Sequence, residues 1–369
     1  MYFGSVFCIQ SGNLLPMKFL YFFVFALFFS CTKSLEEKCF TKGEEKSNYV
    51  EEKSYTVKQI LDEKPDYLEI NNLKNFRDFK QDSLYSHELK WKNYDERMKD
   101  YDVFREKFSD QFMCFGKQTV DKVEYSLGRN NLGYWLLKIE NNKPSAYFLG
   151  LSFSHYYLNE IQDKPIIKDG FLQVEGSLVK IIKVAGLPGY DDYSAMEDGK
   201  LFKINLKDLI QDSDSDGYND IFEKSFGLNH QNKDSDGDRI NDFDDTNPMF
   251  RSEKNKFSEL YQRLLPEYAG APDFKKLHYY FEVFETDCDY FHQVNPDYRI
   301  LFAPDEKNKQ INYIKVTDVF HHGISKIEKN EKDPERFYIH TWGSSSSTSF
   351  VAKYKNGKWE LEMTGQIVS

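Results

Sequence analysis

Residues 212–245 read DSDSDGYNDIFEKSFGLNHQNKDSDGDRINDFDD, and the organisation of the rest of the chain is best read outward from them. Asp212, Asp214 and Asp216 alternate, so three carboxylates turn inward along one tight loop. Gly217 follows at the sixth place, where a residue without Cβ allows a sharp bend. Tyr218 offers its backbone carbonyl at the seventh place, Asp220 stands at the ninth and Glu223 at the twelfth. A calcium ion takes roughly six to eight oxygen ligands at about 2.3–2.6 Å in a flexible shell, which such a set supplies. The pattern then recurs, with Asp234, Asp236, Asp238, Ile240, Asp242 and Asp245 at the corresponding places. Here Arg239 stands at the bend, at a cost of about 1 kcal/mol for a positive φ. Asp245 is shorter than Glu and reaches an ion with one oxygen more readily than with two. The second loop is therefore expected to bind more weakly, or to depend on the first, so one or two ions are expected.

The stretch carries ten Asp and one Glu against Lys224, Lys233 and Arg239. The whole chain of 369 residues has a net charge of −11, so much of the acid excess belongs to one site. That charge argues against nucleic acid as a partner, since phosphate backbones are held by a basic face.

Both segments match the EF-hand calcium loop, the first at every diagnostic position. Their flanks differ from a paired EF-hand. No amphipathic helix precedes Asp212, where only residues 206–210 are available, and a short helix over 218–226 is expected to end at Gly227. Asn247-Pro248 close the segment. The spacing resembles the thrombospondin type 3-like repeats of bacterial surface proteins, over residues 211–249. That resemblance implies calcium-dependent packing of an otherwise core-poor segment. For extracellular modules of this kind, a Kd of roughly 10⁻⁴–10⁻³ M favours a structural brace over a sensor.

The other end of the chain suggests where it works. Met17-Lys18, the apolar run 19–29 and Ser30-Cys31 describe a secretory signal too short to span a bilayer. The Cys directly after a small residue resembles a bacterial lipoprotein signal, which implies that translation starts at Met17 and that Cys31 is lipidated. Membrane attachment through Cys31 and an outer-membrane or cell-surface location, with the periplasm as alternative, follow from that resemblance. Residues 32–54 are polar and Lys/Glu-rich, a flexible tether. Cys39, Cys114 and Cys288 remain, with no metal-binding spacing. One disulfide among them fits an oxidising compartment, with its pairing open.

The flanks read as two α+β domains, 55–206 and 250–369, with mainly antiparallel sheets joined by the calcium segment 207–249. In the first, Tyr94, Met98, Tyr101, Phe104 and Phe108 keep helical spacing, and strands are expected at 134–139 and 146–153 around Asn141-Asn142-Lys143-Pro144. A further hairpin is expected between 171–174 and 178–184, turning at Glu175-Gly176-Ser177, with a loop near Gly186 and a strand at 201–206. In the second, a helix at 254–265 stops at Pro266. Strands follow at 277–284, 299–302, 313–316, 337–342, 348–354 and 358–363, the last two joined by Asn356-Gly357.

No catalytic constellation emerges. Gly150-Leu151-Ser152-Phe153-Ser154 lacks the second Gly of a nucleophile elbow. His321-His322 lack metal-ligand spacing, and Asp191-Asp192 read as a solvated loop. With 57 Phe and Tyr residues (32 and 25), core packing explains the aromatic pairs as well as a carbohydrate platform would. The expected function is a binding or interaction module with a protein or glycan partner, calcium bracing its two domains. The alternative is an envelope hydrolase whose residues meet only in the fold.

Overall fold

The computed structural model describes residues 34–41, 55–84, 94–183, 191–267, 273–304, 322–343 and 346–368. The signal segment with Cys31, tether residues 42–54, the loop at Gly186 and the 313–316 strand lie outside the described residues. Strand β1 (Phe40–Thr41) comes first, then β2 (Leu68–Asn72). An antiparallel meander follows, made of β3 (Met113–Val120), β4 (Val123–Asn130), β5 (Gly133–Glu140) and β6 (Lys143–Phe148). With β7 (Tyr156–Leu158), β8 (Ile167–Lys168), β9 (Phe171–Lys183) and β10 (Asp191–Asn205), a second sheet runs in the order β2-β10-β9-β7, β8 pairing the start of β9. A parallel pair, β11 (Phe281–Glu285) and β12 (Arg299–Ala303), comes next. Finally β13 (Gly323–Ile324), β14 (Ile327–Lys329), β15 (Arg336–Trp342), β16 (Ser346–Lys355) and β17 (Lys358–Val368) join β1 in a sheet ordered β1-β14-β15-β16-β17, with β13 also on β15. The helices are short, among them Tyr94–Lys99, Asp102–Lys107, Asp220–Phe226 and Lys256–Leu264. The class is α+β.

Local chemistry explains the turns. Asn356 and Gly357 carry φ of 53° and 74°, and Asn141 and Asn142 carry 50° and 65°. Two left-handed residues twist a two-residue connection the same way as its strands. The 141–144 connection is thus shorter than expected, because Lys143 and Pro144 already belong to β6, an edge strand where a missing N–H is tolerated.

The turn expected at 175–177 is a correction. Strand β9 runs straight through it, pairing with β10 on one side and β7 on the other. A Cβ on Gly176 would lie 2.1 Å from the Tyr157 carbonyl oxygen and 2.8 Å from the Phe202 ring. The glycine lets two backbones approach closely; it does not make a turn.

Two apolar cores form. The first gathers Phe104, Leu127, Trp135, Phe148, Leu178 and Phe202, and the second gathers Leu260, Tyr261, Phe291, Ile327, Phe337 and Trp359. The β11–β12 pair is their common wall. Successive side chains alternate across a strand, so Phe281, Val283 and Leu301 enter the first core while Phe284, Ile300 and Phe302 enter the second. Residues beyond 250 therefore complete the N-terminal core as well as their own.

The acidic segment 207–249 is not core-poor as the resemblance implied. Tyr218, Ile221, Phe222, Phe226 and Leu228 all belong to the first core. Phe222 is fully buried, and burying such a side chain contributes roughly 1.5–3 kcal/mol. Part of the expected tether is also ordered. Ser34 caps the helix Leu35–Cys39, and β1 pairs in parallel with β14. Cys39 bonds to Cys288, which resolves the open pairing. Cys114 is the free thiol among the described residues, and burial pushes it up to about 12.

Candidate metal centre

The two acidic loops repeat each other bond by bond, twenty-two residues apart (212 to 234). Asp212 accepts N–H groups from Ser215 at 2.7 Å and Gly217 at 3.2 Å, and Asp234 accepts them from Gly237 at 2.8 Å and Arg239 at 2.9 Å. The first carboxylate therefore wraps the backbone around itself. Ser215 and Gly237 at the fourth place have φ of 62° and 80°, while Gly217 and Arg239 at the sixth have 125° and 80°. Arg239 thus adopts the left-handed bend that its position demanded. Gly217 is required for a second reason, because a Cβ there would sit 2.8 Å from the Phe243 ring of the other loop.

At the third and fifth places, one oxygen of each carboxylate is used locally. Asp214 accepts from Asp216 N–H at 3.0 Å and Asp216 from Tyr218 N–H at 2.7 Å. In the second loop, Asp236 accepts from Asp238 N–H at 2.9 Å and Asp238 from Ile240 N–H at 2.8 Å. The other oxygen, Oδ2 of Asp214, Asp216 and Asp236, is buried without a hydrogen-bond partner. Glu223 is fully buried, and neither of its carboxylate oxygens has a partner.

The ninth position behaves otherwise than a plain ligand. Asp220 accepts the N–H and hydroxyl of Ser213, both at 2.8 Å, and also contacts Gln211 and Lys224. Its carboxylate staples the loop start to the helix Asp220–Phe226. Asp242 makes the same pair of bonds to Ser235, at 2.9 and 2.6 Å. Asp242 differs in also reaching the first loop. Ligand oxygens of Asp216, Glu223 and Asp242 lie within 4.8 Å of one another, as do those of Asp212, Asp214 and Asp216, and those of Asp234, Asp236 and Asp238. The first loop is thereby completed by a carboxylate from the second, a link that linear spacing did not reveal. Serine at the second place of both loops was the available signal for the staple.

Tyr218 is buried and gives its phenolic proton to the His278 carbonyl at 2.6 Å, while Ile240 is largely exposed. Asp245 is buried, accepts from Asn247 N–H at 2.9 Å and lies outside the three carboxylate clusters. Asn247 in turn donates to the carbonyls of His292 and Val294, and Ile300 N–H to the Thr246 carbonyl.

The electrostatics are those of crowded, desolvated acids. Burial, then the charges of Asp214, Asp216, Asp220 and Asp212, push Glu223 up to about 9. Burial likewise lifts Asp216 to about 7, and Asp236 and Asp242 to about 6. Asp214 and Asp245 are raised too, mainly by burial. Asp234 instead falls below its usual value: a slight burial effect is outweighed by the N–H groups of Arg239 and Gly237, the Asp236 side chain and the Asp238 N–H. These clusters have the donor chemistry of a hard divalent cation site, oxygen-only and without thiolate or imidazole.

Of the stretches weighed for catalysis, Ser152 accepts the Ser154 N–H through its hydroxyl, and His321 lies outside the described residues. No protein-family model, curated protein or solved structure matches this chain.

Proposed function

We propose that residues 212–245 bind calcium and brace the two cores, in a secreted, lipid-anchored envelope protein that serves as a binding module for a protein or glycan. The observation that carries the calcium reading is the set of buried carboxylate oxygens on Asp214, Asp216, Glu223 and Asp236 with no protein donor. An unpaired buried polar oxygen costs roughly 1–3 kcal/mol, and more when charged, so several together call for a cation. In this reading the carbonyls of Tyr218 and Ile240 complete the shells. Asp242 adds to the first site and Asp245 to the second.

The brace reading is supported by what each end of the segment touches. Its helix is embedded in the first core, and Thr246 and Asn247 are bonded to backbone around the second. Ordering the loops on an ion therefore couples both cores. Calorimetric titration of calcium into the calcium-stripped chain, with melting in calcium and in chelator, tests this. Two events, or one with a weaker second, and a raised melting temperature are expected. No heat and no shift at millimolar calcium overturns the reading, and a Kd far below micromolar overturns the structural role.

A further inference from the structure

Arg299 opens β12 and is completely buried. Its guanidinium donates to the Phe243 carbonyl at 2.7 Å and to the Lys275 carbonyl, while Nε has no hydrogen-bond partner. Among the described residues no carboxylate forms an ion pair with it. A buried charge without a counter-charge is costly, so something at longer range must offset it.

The second acidic loop meets this cation through the Phe243 carbonyl. Phe243 lies in the second loop between Asp242 and Asp245, and its ring stacks on His278 at 4.2 Å. The same ring packs 5.0 Å from Tyr218 of the first loop and beneath Gly217. Arg299 thus holds the backbone of a second-loop residue on whose ring the first loop rests. Its charge also pulls the Asp245 carboxyl downward, against the burial and the Asp238 charge that raise it.

We propose that Arg299 is the positioning residue of the calcium segment, a fixed internal cation that offsets loop repulsion when no ion is bound. This rests on the calcium reading above. The ion-free chain keeps its loops assembled through Arg299, and calcium takes over that duty on binding.

Melting of the full chain in calcium and in chelator separates charge from packing. Arg299→Met lowers the chelator melt more than the calcium melt, widening the difference by about 5 °C or more. Arg299→Lys keeps the charge but loses the planar fork, so it lowers both melts and leaves the difference unchanged. Adding Asp245→Asn to Arg299→Met removes a repelling charge and restores the chelator melt, which also serves if Arg299→Met alone does not fold. Equal losses in calcium and chelator, with no rescue by Asp245→Asn, overturn the proposal while leaving calcium binding intact. A wild-type chain whose melt ignores calcium overturns both.

Discussion

Replacing Glu223 by Gln removes the one carboxylate among the described residues with two buried, unpartnered oxygens. Its pKa moves from 4.5 for a free side chain to about 9 in the folded, ion-free chain, burial being the largest cause. The sign follows from linkage. A carboxyl whose folded pKa is raised stabilises the fold fully below pH 4.5, and that stability is lost as pH rises towards about 9. pH 7 lies 2.5 units above the free value of 4.5, a loss of about 3 kcal/mol at 1.36 kcal/mol per unit. Glu223→Gln abolishes this loss but buries an amide with donors of its own, which costs about 1–3 kcal/mol. Net stability at neutral pH therefore changes little, whereas the pH slope changes greatly. Urea denaturation of the calcium-stripped chain between pH 5 and 8 measures it. Wild type should lose stability with rising pH, and the variant should be flatter by up to about 1.4 kcal/mol per pH unit. Calcium titration of the same variant should lack the tighter event. Equal slopes, together with an undiminished calcium event, would refute both the site and the electrostatic reasoning.

Three further outcomes are expected. Asp242→Asn weakens the tighter calcium event although Asp242 belongs to the second loop, while Asp220→Asn leaves the number of events unchanged and costs about 1 kcal/mol as a lost staple, both read by calorimetry and denaturation. Calcium binding releases protons up to about pH 9, because Glu223 at about 9, Asp216 at about 7 and Asp236 and Asp242 at about 6 must ionise; titrations in buffers of differing ionisation enthalpy measure the release. Gly176→Ala costs more than about 3 kcal/mol, since its Cβ meets the Tyr157 carbonyl oxygen at 2.1 Å, and a melt within a few degrees of wild type would show that β7 can shift.

The Asp alternation, the bend at Gly217 and the capping Gly227 were legible in the chain because each acts within a dozen residues. The Asn356-Gly357 hairpin was legible for the same reason, its geometry being a property of two backbone angles. The lone Gly176 misled, because a glycine needed for close backbone approach looks in sequence like one needed for a turn. Other features depend on partners far along the chain. The alternation of β11 and β12 between two cores, the Cys39–Cys288 bond across 249 residues, and the burial of Phe222 in the first core belong to this group. So do the reach of Asp242 into the first loop and the bond of Arg299 to the Phe243 carbonyl of the second. Short-range rules of backbone and ligand spacing thus determined which residues can hold a cation. Only the tertiary packing decided which of their oxygens are buried without a donor, because burial depends on everything that surrounds a side chain and local order does not encode it.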